Sequence, residues 1–182
     1  MKGGKSMKIL KSKPWIVVTF SLALIIVFCA TYSTAQEKIK ISGKVTTAYT
    51  IRHEIKCDDT EGHSILVVKS EGVNMSTGKN EFMDGAEFAY EAFADYVKGN
   101  GPHVTYSKLT LNGDTVFYRG EGKTKTIISP KGKPITTVEG TNTIIKGTGK
   151  YEGIQGSGTY KGKLISSNIM VIESEGEYFI KK

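Results

Sequence analysis

Lys146 to Lys163 reads KGTGKYEGIQGSGTYKGK, with six glycines among Thr, Ser, Tyr and Lys and no apolar stripe of helical length. The stretch reads as the end of one strand, a tight loop and the start of the next. Gly147, Gly149, Gly153, Gly156 and Gly158 supply the left-handed backbone that turns and bulges need, and Tyr151 and Ile154 are the large apolar side chains able to pin the loop down. A phosphate-binding loop is the rival reading, and its context is wrong. Both glycine-rich nucleotide motifs open a helix, whereas Thr159 to Ile165 alternate with a period of two.

The same period extends outward in both directions. From Lys38 to Ile51 the odd positions Ile39, Ile41, Gly43, Val45, Thr47, Tyr49 and Ile51 form one face, and Lys38, Lys40, Ser42, Lys44, Thr46, Ala48 and Thr50 the other. Shorter alternating runs fall at 64–70, 103–111, 115–123, 134–145, 158–165 and 168–180, separated by turn signals. The clearest is Asn112-Gly113, because both residues tolerate the positive φ of a two-residue hairpin. Ala86 to Val97 is ambiguous. Ala89, Ala92, Phe93, Tyr96 and Val97 have helical spacing, while Phe88, Tyr90, Ala92 and Ala94 alternate between Asp84-Gly85 and Gly99-Asn100-Gly101. Read as a strand it brings the total to eight, enough for an antiparallel sheet to close and leave no edge.

The formal net charge of +7 does not point to nucleic acid, because of where it sits. Lys2, Lys5, Lys8, Lys11 and Lys13 precede an apolar run from Trp15 to Ala30, and residues 1–35 contain no acid. That is the pattern of a signal peptide, with Ser33 and Ala35 as the small residues before a cleavage site between Ala35 and Gln36. An uncleaved anchor would need about 20 apolar residues, more than this run offers, and a lipid attached at Cys29 would call for a small residue where Phe28 stands. Removing 1–35 leaves 25 − 5 = 20 basic residues against 18 acidic ones, a net of +2. The expected product is an exported protein, periplasmic or secreted, with 36–182 as a single domain, no stable membrane span and no nucleic-acid partner. Cys57 is then the sole cysteine, so no internal disulfide forms.

The residues GTGKYEGIQGSGTY at 147–160 resemble the glycine signature of allene oxide cyclase and dirigent type barrels and of their secreted bacterial relatives. Gly62-His63, Phe82-Met83-Asp84-Gly85, Asp95 with Gly99-Asn100-Gly101, and Gly113-Asp114 ahead of Phe117 extend the likeness over most of 36–182. The resemblance implies an all-β, eight-stranded antiparallel up-and-down barrel of lipocalin-like, calycin-like form. It carries over no catalytic residue, because no motif of the plant cyclase's active site has a match here.

Candidate sites follow from residue types. Tyr49, Tyr106, Tyr118 and Tyr160 are expected to line the barrel, with Glu121 and Glu139 as carboxylates whose pKa would rise if they faced inward. Glycines alternating with aromatics at Tyr118, Gly120 and Gly122 and at Gly156, Gly158 and Tyr160 leave interior room. His53, Cys57 and His63 are zinc or copper ligand types, but a structural zinc site usually takes four ligands, so no metal or other cofactor is expected. Glu173, Glu175 and Glu177 share one face and read as solvated wall. There is no Gly-x-Ser-x-Gly elbow. The expected function is non-catalytic binding of a small apolar molecule. The alternatives are an isomerase or cyclase of the allene oxide cyclase kind, or a structural envelope protein that assembles as a homo-oligomer.

Overall fold

A computed structural model describes residues 36–181; the expected signal peptide lies outside the described residues. Eight antiparallel strands close into a barrel in chain order: β1 Ile39–Lys56, β2 His63–Ser76, β3 Glu87–Val97, β4 Gly101–Leu111, β5 Asp114–Ile128, β6 Pro134–Gly147, β7 Ile154–Leu164 and β8 Ile169–Ile180. β8 returns to β1 in a ladder running from Ile39 opposite Tyr178 to Ala48 opposite Ile169. Closure pairs every strand on both sides, which an open sheet of this polarity could not do.

The ambiguous segment is strand. Phe88, Tyr90, Ala92 and Ala94 alternate inward along β3, and its apolar outward residue Phe93 is 53% exposed. Asn112 and Gly113 take φ of 54° and 89° and form the tight β4–β5 hairpin, with Leu111 opposite Asp114. In the glycine-rich stretch, β6 ends at Gly147, a 3-10 turn covers Gly149–Tyr151 and β7 begins at Ile154, with Tyr151 and Ile154 both buried. Only Gly149 and Gly153 of the five expected left-handed glycines adopt positive φ, 57° and 76°. Gly147, Gly156 and Gly158 are glycine for a different reason. A Cβ there would lie 2.1 to 2.3 Å from a backbone oxygen of a neighbouring segment.

The alternation of β1 also breaks earlier than its sequence suggests. The ladder shifts between Tyr49, opposite Ser70, and Ile51, opposite Lys69, leaving Thr50 as an extra residue. A bulge turns every later side chain to the other face. Ile51 is therefore 45% exposed, and Arg52 stands opposite inward-facing Val68.

One end of the barrel is sealed. The loop between β2 and β3 folds back so that Phe82, Met83 and Ala86 pack with Leu109, Val116, Ile144, Tyr151 and Ile154. Asn74 holds that loop: its side-chain amide donates to Met83 O at 2.7 Å, and its backbone bonds both Gly85 and Ala86. The outer wall carries cross-strand ion pairs such as Lys44 with Glu173 and Lys38 with Glu177. This is the solvated role expected of the β8 glutamates, and such exposed pairs contribute little individually.

Candidate functional site

Inside the wall lies a cavity of about 150 Å³, partly open to solvent and lined mostly by apolar side chains. It runs from Phe82, Phe88 and Ile144 near the sealed end to Tyr49, Leu66 and Tyr96 toward the other. Three of the six expected lining residues, Tyr49, Tyr118 and Tyr160, do line it.

The other three do not. Tyr106 points outward and is 53% exposed, because the inward set of β4 is His103, Thr105, Ser107 and Leu109. Glu121 lies between inward Gly120 and Gly122, so its carboxylate faces out and accepts from Arg119 at 2.8 Å. Glu139 is exposed between Val138 and Gly140 for the same reason of parity. No acid stands among the buried polar side chains of the described residues.

Interior chemistry rests instead on a chain of neutral groups centred on His103, which is 6% exposed. Its Nε2 lies 2.6 Å from the Tyr160 hydroxyl and its Nδ1 3.0 Å from Thr124 Oγ1, which in turn lies 2.6 Å from the Tyr96 hydroxyl. The register explains how β4 reaches β7. His103 stands opposite Gly122, Gly122 opposite Gly140, and Gly140 opposite Tyr160, one row across four strands. Two adjacent positions without a Cβ form a trough in which the Tyr160 side chain lies. A Cβ on Gly122 or Gly140 would fall 2.5 or 2.6 Å from its hydroxyl oxygen. Much of the room that the glycines offer is thus filled by Tyr160. At Gly120 it is taken in the same way by Thr105 and Asn142.

Burial sets the protonation of these groups, since it disfavours charge. The His103 pKa is pushed down, so the ring is neutral at neutral pH. Burial pushes the Tyr160 phenol up to about 12 and raises Tyr96, Tyr49, Tyr90 and Tyr118 as well. A neutral imidazole has one N–H and one acceptor nitrogen. The chain of Tyr160, His103, Thr124 and Tyr96 therefore holds four hydrogens for its three contacts. One O–H is left over and is available to the cavity. A second group of polar side chains, Tyr49 with the buried Ser70 and Tyr90, lies on β1 to β3, where Ser70 donates to Ala48 O at 2.7 Å.

Of the metal-ligand candidates, His53 stands exposed on β1 beyond the bulge, outside the cluster that Cys57 and His63 form with Asp59. His103 was not apparent as a site residue in the sequence. Its signal is positional, a histidine in phase with Leu109 on the inward face.

Comparison with protein families, with curated proteins and with solved structures returns no match. The fold and the site define the class of protein: a closed eight-stranded antiparallel β-barrel with an apolar interior cavity that ends in a neutral tyrosine and histidine network.

Proposed function

We propose that this barrel is an exported carrier or receptor for a small, largely apolar molecule bearing one hydrogen-bond acceptor, such as a carbonyl or ether oxygen. The His103 chain carries the reading: Tyr160, His103, Thr124 and Tyr96 all line an apolar cavity and hold one hydrogen more than their mutual contacts use. A hydrogen that those contacts do not use can donate to an acceptor on a bound molecule. Ligand pockets commonly pair apolar lining with a few placed polar groups. The cavity's size suits about one ring, since an apolar cavity near 150 Å³ accepts benzene. Export goes with the lysine-flanked apolar leader at 1–35.

The test is a titration with cyclohexanone and cyclohexane, followed by amide shifts of Ala92, Ser107 and Val138. The ketone should bind the tighter of the two. Equal, saturable binding of both would remove the role given to the network, and binding of neither would remove the reading. Native mass spectrometry of protein from its own host would then identify what is retained.

A second reading, an isomerase of the kind that the sequence resemblance implies, draws on the His103 and Tyr160 contact. A neutral histidine beside a phenol can move a proton on a bound substrate. Burial raises the phenol's pKa to about 12 and makes it a poor acid, so binding is preferred. Turnover of the retained molecule, abolished in His103→Gln, would reverse that preference.

A further inference from the structure

We propose that the β1–β2 turn is a zinc-type metal site, with Cys57 Sγ, an Asp59 carboxylate oxygen and His63 Nδ1 as its ligands. The three donor atoms lie within 4.8 Å of one another. Around a tetrahedral Zn²⁺ with bonds of 2.0–2.3 Å, ligand atoms stand about 3.5 Å apart, so modest side-chain rotation closes the set. One sulfur, one nitrogen and one oxygen donor suit a borderline divalent ion such as Zn²⁺ or Co²⁺ and suit Mg²⁺ or Ca²⁺ poorly. Three protein ligands leave a fourth position for water or an exogenous ligand.

Two features set this cluster apart from an ordinary charged turn. The first is the frame. Cys57 N donates to His63 O at 3.0 Å, His63 N to Thr60 O at 3.0 Å and Lys98 N to Gly62 O at 2.8 Å, so the ligand-bearing backbone is fixed before any ion arrives. The second lies outside the turn. Asp95, on β3, meets His63 Nε2 at 2.9 Å, while Nδ1 faces Asp59. A metal-binding histidine characteristically gives its other N–H to a carboxylate, which fixes the tautomer and leaves the remaining nitrogen's lone pair for the ion. The imidazole is only 17% exposed although both carboxylates are largely open to solvent. Cys57 would bind as the thiolate, its proton leaving to solvent. His53 has the right residue type but lies outside the cluster, and Asp59, two residues from the cysteine, stands in its place as a ligand. The site is on the rim of the barrel, and the cavity's contents do not bear on it.

Titrating the full chain with Co²⁺ under reducing conditions tests this. One equivalent should bring a near-ultraviolet thiolate-to-cobalt charge-transfer band and visible d–d bands of tetrahedral intensity, and Zn²⁺ should displace both. Cys57→Ser should abolish the charge-transfer band. Asp59→Asn should weaken binding strongly, Asp95→Asn about 10–100-fold, and His53→Ala should leave it unchanged. Far-UV circular dichroism should report the same strand content for every variant. A wild-type chain without the charge-transfer band would overturn the proposal. So would a Cys57→Ser chain that keeps the band, or His53→Ala weakening binding as much as Asp59→Asn.

Discussion

The Tyr160 hydroxyl reaches His103 Nε2 at 2.6 Å by lying across Gly122 and Gly140, strand positions that have no side chain to obstruct it. That contact joins β4 to β7 through the interior, in addition to the hydrogen-bonded wall. Tyr160→Phe keeps the ring and its packing and removes the contact, leaving a buried ring nitrogen without its partner. Leaving a buried polar group unsatisfied costs about 1–3 kcal/mol. Urea denaturation should show a lower midpoint at unchanged slope, because the surface exposed on unfolding is the same.

Gly122→Ala and Gly140→Ala should each be more damaging than Tyr160→Phe. Each added Cβ meets the tyrosine oxygen and also a backbone oxygen, Glu139 O at 2.3 Å for Gly122 and Glu121 O at 2.2 Å for Gly140. A side chain can swing away, but a paired strand cannot. Overpacking of this kind typically costs about 1–3 kcal/mol and occasionally more. Combining Gly122→Ala with Tyr160→Phe, which removes the oxygen that the new Cβ meets, should recover only part of the loss, since the backbone clash persists. Full recovery in thermal melts would mean that the trough matters for the hydroxyl alone.

The wall was legible in the sequence because a period of two, punctuated by glycine turns, leaves few alternatives once eight strands are counted. The interior was less so. Tyr106, Glu121 and Glu139 are candidates by chemical type, but parity decides direction, and Gly120, Gly122 and Val138 already fix the phase beside the two glutamates. The bulge at Thr50 has no mark in the alternation, so Ile51 reads as interior until the ladder is seen. Asp95 meets His63 only because β2 and β3 pair, a relationship between residues 32 apart with no motif to announce it.

His103 makes stability depend on pH in a definite direction. Its pKa is held below the ordinary 6.5 in the folded chain, chiefly by burial. Above 6.5 the ring is neutral whether folded or not, and the contribution is fully present. Below 6.5 the unfolded chain takes up a proton that the folded chain declines, so stability falls as pH drops toward the folded pKa. The difference in unfolding free energy between wild type and His103→Gln, measured across this window, should therefore shrink on acidification. Ring resonances should show His103 titrating below 6.5. A difference that grows on acidification would mean that the imidazole is charged in the barrel.

Phe82 is where sealing the barrel and shaping the cavity meet. Its ring packs on Tyr151 and Tyr178, with centroids 5.5 and 4.9 Å away, and it also lines the cavity. The residues on either side, Glu81 and Met83, sit at φ of 45° and 52°, a left-handed conformation unfavourable for side chains other than glycine. Burial of Phe82 and Met83, with the Asn74 bond to Met83 O, offsets that strain. Phe82→Ala should therefore lower stability by about 3–5 kcal/mol, the range for emptying a buried aromatic site. Asn74→Ala should also destabilise the barrel, by about 1–3 kcal/mol. The two should differ in binding. Phe82→Ala lengthens the cavity toward the sealed end and should admit a bicyclic ketone more tightly than wild type does, while Asn74→Ala should bring no such gain. If Phe82→Ala loses stability without gaining affinity for the larger probe, the sealed end has collapsed into the space, and the cavity's length is set by Phe88 and Ile144 instead.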